Sequence, residues 1–226
     1  MPALNPHQSD RSAVMFWTLI VPGLIGLAIA FIVFRAWQQP EPHAVASRPD
    51  SLQAAQQDLR DGRNAEAARL LAVLAARGDP NAQYWLGHLI EKGIGTKRDV
   101  ERALALYRQA ADHQVVAAEV RLGELYLRGN LVLPDGARAK SYLERAAYQG
   151  NPRAAMLMGQ LYGSAVGRMP DWVEAYAWSE VAAIEGSPFA SIERDAALHA
   201  LDAQGQLAGL ARAKDILAAI GRHAPD

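Results

Sequence analysis

Six histidines (His7, His43, His88, His113, His199 and His223) are the side chains best suited to metal ligation or to proton transfer near neutrality. None stands four residues from another, and none lies in an H-E-x-x-H frame, so no metal site is expected. His88 is the one of interest, because it directly follows Gly87, a glycine that recurs along the chain. The chain has no cysteine, and therefore no thiolate ligand, no cysteine nucleophile and no lipobox for acylation. The stretch GIGTK at 93–97 has the composition of a phosphate loop but not the G-x-x-x-x-G-K-[ST] spacing, and it follows a helical pattern rather than a strand. GSAVG at 163–167 likewise fails the G-x-S-x-G elbow. Trp172, Tyr176 and Trp178 have the makings of a sugar-stacking platform, but Trp178 shares a periodic column with Tyr142 and Leu106, which favours packing. The carboxylates are scattered and read as solvated helix faces. No enzyme and no cofactor are expected.

The chain that must position these residues has 226 of them, half hydrophobic and 21% charged, with 23 Lys+Arg against 24 Asp+Glu. This is the composition of a folded protein of one or two domains, without the basic excess of a nucleic-acid binder. Forty-four alanines and few β-branched residues after position 50 favour closely packed helices over a sheet.

After an N-terminal tail (1–13), residues 14–34 read VMFWTLIVPGLIGLAIAFIVF, uncharged throughout. A helix of that length spans roughly 30 Å, the thickness of a bilayer's hydrocarbon core. Trp17 and Trp37 mark its two ends as interfacial aromatics do. The run is longer than a signal-peptide core, so an uncleaved transmembrane helix is expected. Flanking charges are nearly balanced and leave its orientation open. Gly26 and Ala30 form a small-xxx-small pair that can seat another membrane helix. Residues 35–50, with prolines at 40, 42 and 49, read as a stiff tether.

Beyond the tether the sequence superposes on itself at a shift of 36. Gly87, Gly123 and Gly159 coincide, as do Ala82, Ala118 and Ala154, and Asp99, Asp135 and Asp171. Ala103, Ala139 and Ala175 follow, then the pairs at 110–111, 146–147 and 182–183. Each unit is a helical hairpin. A first helix near 82–91 ends at a turn where Gly93 or Gly95 takes positive φ, and Asp99 caps a second helix near 100–112. A glycine in mid-helix costs up to about 1 kcal/mol relative to alanine, so its recurrence implies close approach of the two helices. Residues 51–80 form an N-terminal capping repeat without the mid-helix glycine, 81–186 three full repeats, and 187–222 two C-terminal capping helices carrying Leu207, Leu210, Ile216 and Leu217.

The string A-x-x-x-L-G-x-x-Y/I-x-x-G, followed by D-x-x-x-A and a later A-A, resembles the Sel-one-like repeat, a relative of the tetratricopeptide repeat. AAEVRLGELYLRG, PDGARAKSYLERAAYQG and DWVEAYAWSEVAAIEG carry the likeness, which covers residues 51–220. The resemblance implies an all-α, right-handed superhelical solenoid that acts as a scaffold for protein partners. In bacteria it also implies an envelope setting, with the solenoid in the periplasm below a single-pass inner-membrane anchor. Some cysteine-rich relatives act on cell-wall compounds, a subgroup from which this cysteine-free chain departs.

Carried over from the matched Leu-Gly pair, the concave positions are Tyr84, His88, Glu91 and Lys92; Val120, Glu124, Leu127 and Arg128; and Met156, Gln160, Gly163 and Ser164. That surface is polar in its first half and more apolar around Leu127 and Met156, suited to a peptide or helix of mixed character. Three readings result. The first is a membrane-anchored adaptor holding a protein partner in this groove. The second is an accessory subunit of a larger membrane complex, held through Gly26 and Ala30. The third, with least support, is an enzyme acting on cell-wall glycans.

Overall fold

The computed structural model describes residues 51–164 and 169–221. The apolar segment 14–34 with Gly26 and Ala30, the tether 35–50 and most of the turn at 163–167 lie outside them. Among the described residues no helix is long and apolar enough to cross a membrane.

The described chain forms ten helices and no strand. A first hairpin pairs α1 (Leu52–Arg60) with α2 (Asn64–Ala76). Three hairpins follow in the expected register: α3 (Pro80–Lys92) with α4 (Val100–Asp112), α5 (Val116–Arg128) with α6 (Gly136–Tyr148), and α7 (Pro152–Gly163) with α8 (Trp172–Ile184). A last pair, α9 (Ala190–Ala200) and α10 (Ala203–Ile220), packs on α8.

The repeated residues act where their chemistry predicts. Asp99, Asp135 and Asp171 accept from the amides of Arg102, Arg138 and Glu174 at 3.0, 2.9 and 3.1 Å. Such caps are worth about 1 kcal/mol each. Gly93 and Gly129 end α3 and α5 at φ 72° and 66°, in the left-handed region that L side chains resist. The mid-helix glycines face the second helix of their own hairpin. A Cβ on Gly87, Gly123 or Gly159 would lie 3.3–3.4 Å from the carbonyl oxygen of Ala103, Ala139 or Ala175. The alanine column thus meets the glycine column, backbone against backbone. Ala82, Ala118 and Ala154 are fully buried beside them, and one continuous core runs from α1 to α10.

Trp178 lies in that core at 1% exposure, edge-on to Tyr148, so packing rather than a sugar platform accounts for it. The last helix differs from expectation. Its buried stripe is Gly209, Ala213, Ile216 and Leu217, and Gly209 lies against the Tyr176 ring. Leu207 and Leu210 fall off this stripe and are 68% and 40% exposed.

Candidate functional site

The first helices α3, α5, α7 and α9 succeed one another along one side of the stack. Of the residues expected to face a partner there, Lys92 and Arg128 are exposed. Tyr84, His88, Met156, Gln160, Gly163 and Ser164 are half-buried. Trp85 lies edge-on to both Tyr84 and His88, at 5.5 and 6.3 Å between ring centroids. Burial lowers the His88 pKa, which favours its neutral form. Glu91, Val120, Glu124 and Leu127 are only 4–8% exposed, which leaves them little surface for a partner. Glu91 and Leu127 share a column, and that column turns toward the body of the stack.

The two glutamates are occupied within the solenoid. The Tyr107 hydroxyl donates to Glu91 at 2.9 Å and Arg121 Nε donates to the same oxygen at 2.9 Å, with Lys92 Nζ 3.2 Å away. Arg121 also donates to Glu124 at 3.1 Å. Glu124 in turn accepts from Arg153 at 2.8 Å and pairs with Arg128 at 3.3 Å. A ladder of alternating charge therefore links α3, α5 and α7. Burial by itself would raise the Glu91 pKa, but the hydrogen bonds from Arg121 and Tyr107 outweigh it and hold the carboxyl at about 2. The Tyr107 phenol moves far up, first by burial and then by donating to a carboxylate.

These contacts correct the expectation that the carboxylates are solvated. Asp58, Glu91, Glu119 and Glu124 are all buried, and Glu119 lies fully inside, paired with Arg145 at 2.9 Å. Burial raises the Glu119 pKa against that pairing. Arg121 and Arg153 are missing from the sequence-based set, although a signal for them exists. Adjacent first helices bring together residues 29–33 apart, as in Glu91–Arg121, Glu124–Arg153 and Gln160–Glu193.

Along this face the ladder gives way to a cavity of about 420 Å³ lined by Arg128, Pro152, Arg153, Met156, Ser187 and Phe189. Phe189 is 64% exposed, and the two arginine side chains are more than half exposed at the rim. Ser187 Oγ lies 3.6 Å from the Met156 sulfur. Among the described residues, no cluster of three or more His, Asp or Glu is arranged to hold a metal ion.

Comparisons with known proteins bear on the repeat and its fold. The Sel1 repeat matches three times in tandem, at residues 80–115, 116–151 and 152–187. Among solved structures the chain is similar to a Sel1 repeat protein from Oxalobacter formigenes. The two are 23% identical with a TM-score of 0.57, and the match covers 73% of this chain and 69% of that one. A protective antigen present in uropathogenic Escherichia coli strains, displaying an SLR fold, matches at 22% identity and a TM-score of 0.47, over 68% of this chain and 41% of that one. The curated chitin synthase regulatory factor 3 of Schizosaccharomyces pombe is 33% identical over 66 residues. That segment is 29% of this chain and only 7% of the length of the yeast protein.

Proposed function

We propose that this Sel1 repeat solenoid is a membrane-anchored scaffold that holds a protein partner on the face formed by its first helices. Residues 14–34 serve as the transmembrane anchor and 35–50 as the tether, with the solenoid on the periplasmic side of a bacterial inner membrane. The observation that carries the reading is the Arg128–Arg153–Met156–Phe189 cavity. It is lined by Met156, an exposed aromatic ring and two guanidinium groups that Glu124 engages only in part, which suits a partner segment bearing an apolar side chain next to a carboxylate. Tyr84, His88 and Lys92 extend the same face toward α3, and Gln160 continues it toward α9. Anchoring confines the search for the partner to the membrane surface and raises its effective concentration.

The test is co-purification of the full chain from detergent-solubilised membranes, beside an Arg153→Ala/Met156→Ala/Phe189→Ala variant and a Gly26→Leu/Ala30→Leu variant. A partner lost with the first variant and kept by the second supports the groove. The reverse pattern assigns the contact to the membrane helix and makes the chain an accessory subunit. A compartment-sensitive reporter fused after Asp226 reads the orientation, and activity on the cytoplasmic side overturns the periplasmic assignment.

A further inference from the structure

The opposite side of the stack carries a second arrangement that the repeat frame does not require. Tyr126, near the end of α5, is 3% exposed, and its ring stacks on Tyr142 of α6 at 6.1 Å with 2° between the planes. Tyr126 lines two cavities of about 420 and 530 Å³ that share Arg108 and Arg138. Arg108 of α4 and Arg138 of α6 both donate to the Tyr126 hydroxyl oxygen, at 3.3 and 3.4 Å. The hydroxyl can still donate its own proton, and no acceptor for it exists among the described residues. Three donors, two of them cationic, thus converge at a point where no carboxylate among the described residues accepts the phenolic proton.

The neighbouring carboxylates do not complete the site. Asp135 caps α6 through one oxygen and meets Arg138 at 3.3 Å through the other. Glu119 is committed to Arg145, whose guanidinium also lies over the Tyr142 ring. Asp112 lines the rim, in ion pair with neither Arg108 nor Arg138. Burial raises a phenol's pKa, yet that of Tyr126 is lowered, because the two guanidinium groups outweigh its burial. The other repeats show that the frame does without this cluster. The Tyr126 column holds Ile90 in the first repeat and keeps a tyrosine, Tyr162, in the third, but the two residues that would stand for Arg108 and Arg138 around Tyr162 are Glu144 of the second repeat and Glu174 of the third.

We infer that the Arg108–Tyr126–Arg138 pocket binds a phosphate group. A phosphate carries up to two negative charges to set against the two guanidinium groups, and its tetrahedral oxygens let each of the three donors take an oxygen of its own. The phosphate comes either from a small soluble ester or from the headgroup of an anionic lipid, and the two sources are separable.

The experiment titrates the full chain, in detergent and at constant ionic strength, with inorganic phosphate, glycerol 3-phosphate and acetate. Calorimetry gives the affinity, and the ultraviolet titration of the tyrosines gives a second readout. Phosphate binding is expected to raise the Tyr126 pKa, because the anion accepts the phenolic proton. Tyr126→Phe, which keeps the stack on Tyr142, and Arg108→Gln are each expected to weaken phosphate binding by about tenfold or more. Phosphatidic acid vesicles then separate the sources. Retention on vesicles that is lost in Tyr126→Phe assigns a lipid headgroup, and binding of the soluble ester alone assigns a small molecule. Absence of phosphate binding, equal binding by Tyr126→Phe, or acetate binding as tight as phosphate overturns the proposal.

Discussion

The first and third repeats share a glycine, a capping aspartate and an alanine column, but differ in the side chain set against the glycine. In the first it is Tyr107, whose ring lies 3.1 Å from where a Gly87 Cβ would stand and whose hydroxyl reaches buried Glu91. In the third it is Ser179, fully buried, with an Oγ that has no hydrogen-bond partner among the described residues. The second repeat places Leu143 there. The backbone frame is thus set by small residues and caps that recur. In the first repeat the residue beside the glycine also joins the charged network, whereas in the second Leu143 stands there and Arg121 and Glu124 carry the network without it. Tyr107 supports one end of the ladder through Glu91, and Ser179 supports nothing comparable.

The sharpest way to break the shared frame is Gly123→Ala. The added Cβ would meet Leu143 Cγ at 2.4 Å, a branch point that cannot swing aside without displacing the whole side chain. A loss of about 2–3 kcal/mol is expected by urea unfolding. Gly87→Ala costs less, about 1 kcal/mol, and Gly159→Ala least, since the Ser179 hydroxyl can rotate away and alanine is the better helix former. Equal losses at the three sites would overturn the account of what faces each glycine.

Tyr107→Phe removes the hydroxyl that distinguishes the first repeat and leaves Glu91 with its arginine and lysine partners. About 1–2 kcal/mol of stability is expected to go. Because the folded Glu91 pKa is depressed to about 2 from 4.5, its contribution is present above pH 4.5 and is lost as pH falls toward 2. Acid unfolding of the tyrosine-to-phenylalanine variant should begin at higher pH than that of the parent. Coincident acid transitions would deny Tyr107 a part in holding that carboxylate ionised.

A smaller effect of opposite sign is expected where the repeats join. Gly78, Gly150 and Gly186 follow their second helices at φ 89°, 77° and 90°, but the same column holds Gln114 at φ 60°. Gln114→Gly relieves a left-handed conformation and should stabilise the chain by about 1 kcal/mol. Smallest of all, Ser179→Ala removes a buried hydroxyl that bonds nothing and should shift stability by less than about 0.5 kcal/mol. A large loss in that variant would mean that the hydroxyl has a partner.

The hairpins, their caps and their close contacts were legible because Gly87, Asp99 and Ala103 recur at a single period, and each has one backbone role that its residue type names. The charged ladder was not legible in that way. Glu91, Arg121, Glu124 and Arg153 occupy different columns, and the separations of 29 and 30 residues that pair them are set by how one first helix lies beside the next. The register carried over from the family resemblance also placed Glu91 and Glu124 on the partner-facing side with Lys92 and Arg128. Whether a helix position faces a partner or the next unit depends on the rotation between hairpins, which no single repeat encodes. Leu207 and Leu210 escaped for a related reason. Helical spacing marks α10 as amphipathic, but its contact stripe runs through Gly209 and Ala213, chosen for closeness rather than hydrophobic bulk.

The ladder has a mechanical consequence. Solenoids usually peel from an end, because each unit is held only by its neighbour. Here Arg121 grips Glu91 in the preceding unit and Glu124 in its own, and Glu124 is gripped in turn by Arg153 of the next. Under a pulling force, these units should yield as one block in a single large extension rather than in three small steps. The hairpins at either end, outside those bonds, should unravel first.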